Sequence, residues 1–153
     1  MALVHRLKYD GKIQLKGPLG ILLLSAYFRY WKRDDIDLII PVPLHVKRFR
    51  KRGFNQSYLL VREWAKMKFL TPPVARDVLV RKRWTDSQTG LGRKHRIANI
   101  KDAFSISDPS KIIGRKILLV DDVYTTGATV NESSKVLRGA GAEQVDVLTL
   151  ARA

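Results

Sequence analysis

The spacing of apolar and polar positions changes several times along the chain, and each change marks an element. Over residues 17–33, Leu19, Leu22, Leu23, Ala26, Tyr27 and Tyr30 recur at intervals of three and four behind Gly17-Pro18, which predicts a helix. Asp37 to Val42 is a short apolar run closed by Pro41-Val42-Pro43, a buried strand running into a rigid loop. Asn55 is an N-cap for a helix whose apolar face is Leu60, Val61, Trp64, Ala65 and Met67 and which stops before Thr71-Pro72-Pro73. Asp77 to Val80 predicts a second strand. Residues 81–101 then lose all periodicity, and a polar stretch of that length inside a compact domain is a functional lid or a disordered loop.

Ile117 to Val120 is an unbroken apolar run of the kind buried on both faces of a parallel sheet. Val130, Lys135 to Leu137 and Ala140 follow with helical spacing, Gly139 and Gly141 end that helix, and Val145 to Leu150 forms another strand. Strand, helix and strand in succession predict an α/β fold, a single domain over residues 1–153 with a central, mostly parallel sheet flanked by helices.

Composition narrows the chemistry. The 153 residues are 45% hydrophobic and 28% charged, as in ordinary globular domains. There are no cysteines, so disulfides, thiolate catalysis and cysteine-ligated metal are excluded for this chain. His5, His45 and His95 lack the mutual spacing of a metal site, and no Gly-x-Ser-x-Gly segment supplies a nucleophile elbow. No signal peptide opens the sequence, and Leu19 to Ala26 is too short for a membrane span, so a cytoplasmic location without membrane insertion is expected.

The net charge of +15 predicts a polyanionic ligand. Residues 117–153 hold three cations (Lys135, Arg138, Arg152) against five acids (Asp121, Asp122, Glu132, Glu143, Asp146), leaving the first 116 residues at +17. Lys47, Arg48, Arg50, Lys51 and Arg52 cluster without an acid. Arg81, Lys82, Arg83, Arg93, Lys94 and Arg96 surround Trp84 with only Asp86 among them.

The most informative stretch is residues 117–129, where the buried run delivers Asp121 and Asp122 to its C-terminal end, the place where open α/β sheets bind ligands. Thr125, Thr126, Gly127, Ala128 and Thr129 then open a helix, whose unpaired N–H groups and dipole favour an anion. Gly127 admits close backbone approach and the threonines add hydroxyl donors. No Gly-Lys-Ser/Thr follows, so this is not a nucleotide P-loop. Adjacent carboxylates beside a phosphate cradle suit one ligand, a sugar phosphate whose hydroxyls face Asp121 and Asp122.

This segment resembles the phosphoribosyl pyrophosphate (PRPP) motif of type I phosphoribosyltransferases, matching its apolar strand, acidic pair, Thr-Thr-Gly and final Thr. More narrowly, the chain is similar to the competence protein F (ComF) family. The narrower likeness rests on Leu7 to Gly11, on Pro41 to His45 leading to Arg52 to Ser57, and on Thr85 to Gln88 with Arg96, Asn99, Ala103 and Phe104.

The resemblance implies a type I phosphoribosyltransferase-like fold and transfer of a phosphoribosyl group from PRPP to an unidentified nitrogen acceptor, with Mg²⁺ bound through PRPP. Asp121 and Asp122 would be catalytic and Thr125 to Thr129 would hold the 5′-phosphate. Val42, Pro43, Leu44, His45 and Arg48 would form the pyrophosphate loop, and Arg81, Arg83, Arg93 and Arg96 would lie on a flexible loop closing over the ligand. Family members commonly carry an N-terminal zinc-ribbon, and this chain begins just after where it would lie, so zinc is not expected here. The expected partners are PRPP or a related sugar phosphate, single-stranded DNA or the DNA-uptake machinery, and a second copy in a homodimer. The alternative function is a non-catalytic PRPP- or nucleotide-sensing module with a basic DNA- or partner-binding surface.

Overall fold

The computed structural model describes residues 16–67, 71–85 and 98–152. In chain order its elements are α1 (Lys16–Tyr30), β1 (Leu38–Pro41), α2 (Val46–Arg52), α3 (Gln56–Val61), β2 (Leu79–Arg81), β3 (Phe104–Ile106), β4 (Lys116–Tyr124), α4 (Ala128–Gly139) and β5 (Gln144–Arg152).

The main sheet is parallel, in the order β1-β4-β5, with Leu38 opposite Ile117 and Lys116 opposite Gln144. A parallel bridge from Ile39 to Val74 extends it beyond β1. Alternate residues of β4 build two cores. Ile117 and Leu119 join Ile40, Val78, Phe104, Val130 and Leu137 on the side of α4 and of the β2/β3 pair. Leu118 and Val120 join Leu23, Tyr27, Leu60 and Trp64 on the side of α1 and α3. A strand apolar at every position is what two covered faces require.

Two helices meet closely beneath the second face. A Cβ built on Gly20 of α1 would lie 2.8 Å from the Leu60 carbonyl oxygen of α3, so only glycine permits this separation. The Trp64 indole N–H donates to the Gly20 carbonyl at 3.4 Å, and the Trp31 indole ties the end of α1 to Asp146 of β5 at 2.7 Å.

Several elements depart from the sequence pattern. The helix capped by Asn55 ends at Val61 and gives way to a 3₁₀ turn, Trp64–Lys66, whereas the apolar spacing predicts a continuous helix to Met67. The basic run after His45 forms α2, an element that its sequence does not announce because no residue of it is buried. The second strand begins at Leu79 and not Asp77, and it pairs antiparallel with β3, apart from the main sheet. Arg81 therefore belongs to a strand and not to a flexible loop; alternation along β2 turns it inward beside Phe104. β4 runs on to Tyr124, which puts Asp121 and Asp122 inside the strand.

Candidate functional site

Extension of β4 past Val120 carries both aspartates into the protein, at 8% and 6% exposure. Asp121 continues the series Ile117, Leu119 and so lies on the face that α4 covers, while alternation turns Asp122 to the other face. The Asp121 Oδ1 accepts two hydrogen bonds, from Ser57 Oγ and from the Asp122 backbone N–H, each 2.9 Å. Two donors on one oxygen compensate for burying a carboxylate.

Beyond Tyr124 the chain bends through Thr125 and Thr126 and enters α4 at Gly127, which has φ +76° and serves as N-cap. Glycine is required there for two reasons. The left-handed conformation penalises any Cβ, and a Cβ would fall 2.8 Å from Tyr124 Cζ, because the tyrosine ring rests against this turn. Thr126 Oγ1 accepts a long bond (3.4 Å) from the Ala128 N–H, and Arg152 lies over the Tyr124 ring at 5.8 Å. The first-turn N–H groups of α4 have no intrahelical acceptor by construction. A small open pocket here is lined by Asp121, Val123, Tyr124, Thr125, Gly127, Ala128, Thr129 and Val130. Thr125, Gly127, Ala128 and Thr129 thus share one pocket with Asp121, while Thr126 does not line it. Tyr124, to which the sequence assigned no role, shares it as well.

The loop leaving β1 lies beside this pocket's carboxylate. The Val42 N–H donates to the Val120 carbonyl at 2.8 Å, and Asn55 Nδ2 donates to the Val42 carbonyl at 3.0 Å while its side-chain oxygen caps α3 at the Tyr58 N–H. Pro43 is buried and Leu44 half-buried. His45, also buried, caps α2, its Nδ1 accepting from the Lys47 N–H at 3.2 Å. Its ring meets Trp84 edge-on at 5.3 Å between centroids.

A second set of cations converges on Thr85. Arg48 donates to the Thr85 carbonyl at 2.9 Å, and Arg81 donates to the Thr85 hydroxyl. Arg81 is 6% exposed, and its Nε has no hydrogen-bond partner. Burial, then the positive charge of Arg48, pull its pKa down to about 10, while Asp121 pushes the other way. Arg83 clasps the far side of the segment through the Asn99 and Lys101 carbonyls at 2.8 and 2.5 Å. Arg93 and Arg96 lie outside the described residues, as does most of the polar stretch in which they were expected to act. Ser57 and Thr85, within segments the sequence singles out, hold the aspartate and the arginines; only their hydroxyls signalled it.

Strand, carboxylate, left-handed glycine and helix N-terminus follow one another here as in a phosphoribosyltransferase-like domain. The phosphoribosyl transferase domain family matches residues 60–153. The chain is 37% identical to competence protein F of Haemophilus influenzae, over 99% of this chain and 67% of that protein. It is 35% identical to the DNA utilization protein YhgH of Escherichia coli, over 98% and 66%, and 33% identical to competence protein ComFC of Streptococcus pneumoniae, over 96% and 60%. The chain belongs to the competence protein F family of phosphoribosyl transferase domain proteins, and it spans 60–67% of the length of these three relatives.

Among solved structures, the fold is similar to a purine phosphoribosyltransferase from Pyrococcus horikoshii, with TM-score 0.50 and 16% identity over 90% of this chain and 72% of that one. It is also similar to the allosteric regulatory enzyme of purine biosynthesis, with TM-score 0.54 and 20% identity over 88% and 25%. Among the described residues, no helix is long and apolar enough to cross a membrane.

Proposed function

We propose that the chain binds PRPP and transfers its phosphoribosyl group to a nitrogen acceptor. The observation that carries this is the shared pocket of buried Asp121 and the Gly127-led N-terminus of α4. The Thr125–Thr129 turn grips the 5′-phosphate with backbone N–H groups, so that remote binding energy orients the anomeric carbon. Asp121 accepts from a ribose hydroxyl and steadies the positive charge that develops as the bond to pyrophosphate breaks. That bond's electrons leave with pyrophosphate, and the acceptor nitrogen forms the new bond and sheds its proton to solvent. Arg48 and Arg81, two guanidiniums whose charges act on each other in a poorly hydrated place, favour an anionic leaving group beside Thr85.

Magnesium fits this donor set. Among the described residues no cluster of three His, Cys, Asp or Glu side chains makes a protein-only cage, and a hard ion that keeps its waters is held through one or two carboxylates plus ligand phosphates. Asp121 is the carboxylate that lines the pocket and would hold the ion together with the ligand's phosphates. The ion would neutralise charge on the leaving group. The test is a thermal-shift titration with PRPP and Mg²⁺, followed by pyrophosphate-release assays across nitrogenous acceptors. Stabilisation with acceptor-dependent release is expected; no stabilisation would remove the proposal.

A second function rests on α2, which has five cations, no acid and no buried residue. Like charges three and four apart repel along it, and Phe49 and Trp84 stand about half exposed, with Lys47 and Arg48 within 6 Å of the Trp84 ring centroid. A single-stranded nucleic acid relieves that repulsion with its phosphates and stacks bases on the aromatics. Binding to an oligonucleotide should weaken as salt rises, with a log–log slope near −0.7 for each phosphate neutralised. PRPP binding without release for any acceptor, together with such a slope, favours a sensing module acting in DNA uptake.

A further inference from the structure

We infer that Ser57 is a positioning residue for ribose recognition, acting through Asp121. It rests on the proposed sugar-phosphate site. Ser57 is buried, and its hydroxyl donates to Asp121 Oδ1 from α3, 64 residues away along the chain. The Asp122 N–H donates to the same oxygen. A carboxylate is planar, so fixing one oxygen from two directions fixes the plane of the group and the direction of its second oxygen.

Those two donors come from different elements. One is the backbone of β4 itself, which cannot vary with the side chain. The other reaches across from the start of α3, whose place is set by Asn55 through its bonds to the Val42 carbonyl and the Tyr58 N–H. Ser57 thereby couples the aspartate in the pocket to the loop leaving β1. Without the hydroxyl, the carboxylate loses the donor that reaches it from α3 and with it part of the restraint on its plane. A hydroxyl-recognising group held loosely loses affinity for the sugar while the phosphate cradle, built on α4, is untouched.

The test compares ribose 5-phosphate with inorganic phosphate, each titrated calorimetrically into the full chain, for the wild type, Ser57→Ala, Ser57→Thr and Asp121→Asn. The wild type should prefer ribose 5-phosphate, and Asp121→Asn should lose that preference. Ser57→Ala should bind inorganic phosphate as the wild type does but bind ribose 5-phosphate about tenfold more weakly, and Ser57→Thr should restore it. Equal weakening for both ligands in Ser57→Ala would make the serine merely structural and overturn the inference. So would an unchanged preference. A wild type with no preference would instead remove Asp121 from sugar recognition, and the role of Ser57 with it.

Discussion

Asp121 and Asp122 look equivalent in the sequence, yet alternation along β4 gives them different surroundings. Asparagine at position 121 keeps an oxygen for the Ser57 and Asp122 donors, so Asp121→Asn should cost about 1 kcal/mol of stability while abolishing PRPP-dependent stabilisation. The double variant with Asp122→Asn should behave likewise, and Asp122→Asn alone should retain more of the response; thermal shift with and without PRPP checks all three. Equal PRPP response of wild type and double variant would rule out both carboxylates.

Arg81 makes a sharper case, because its charge is buried and its pKa is pulled down to about 10, well below the usual guanidinium range, by desolvation first and by Arg48 second. Below pH 10 the folded and unfolded chains both keep the proton, so the cost of burial is constant there. Above about pH 10 the unfolded chain keeps the proton that the folded one releases, and the cost is relieved as pH rises. At neutral pH, Arg81→Met should therefore raise the ligand-free stability by roughly 1–3 kcal/mol in urea denaturation and at the same time diminish stabilisation by pyrophosphate. Lower stability with an intact pyrophosphate response would make Arg81 a structural tie.

At the scale of elements, the approach of α1 to α3 depends on one missing methyl group. Gly20→Ala gains helix propensity of up to about 1 kcal/mol, but its Cβ meets backbone at Leu60, and overpacking of that kind costs about 1–3 kcal/mol. A net loss of up to about 2 kcal/mol is expected by chemical denaturation; a gain would mean that the two helices part freely.

The same scale shows what was legible in the sequence. β4 and α4 were, because a strand covered on both faces is apolar throughout and the change to helical spacing at Val130 is abrupt. The N-cap at Asn55 was, through its own side-chain chemistry. The reach of β4 to Tyr124 was hidden, since Asp121 and Asp122 break the apolar run although backbone pairing to Thr149 and Ala151 continues. α2 was hidden because a helix with no inward face has no stripe to read. The short antiparallel pair β2/β3 was half hidden, because three residues of Phe-Ser-Ile carry too little alternation. Of the site, the run from strand through Gly127 into a helix was legible and the convergence of Ser57, Arg48, Arg81 and Thr85 was not, since it depends on contacts between segments far apart in sequence.

At the scale of the whole molecule, positive charge and fold are divided along the same line. Residues 1–115 carry +16 and lie outside β4, α4 and β5, whereas the Thr125–Thr129 turn, where we propose that phosphate is held, belongs to the nearly neutral remainder. On the proposed reading, an anion is attracted by one part of the chain and gripped by another.

That division also bears on how the chain reaches its native state. β4, α4 and β5 form one strand-helix-strand unit that is contiguous in the chain, whereas the Lys116 N–H that opens β4 meets its Asp37 acceptor across 79 residues. Closing so long a loop delays the reward of pairing, and during synthesis the apolar strand β1 must wait for a partner not yet made. In pulse-labelled hydrogen exchange during refolding, amides of β4 and β5 facing each other should gain protection before those of β1. Simultaneous protection of all three strands would show that the sheet condenses as a whole. If the order holds, Leu38 to Pro41 is the segment most exposed to mispairing while the chain is incomplete, and a C-terminal truncation before residue 116 should leave it sticky and the product insoluble.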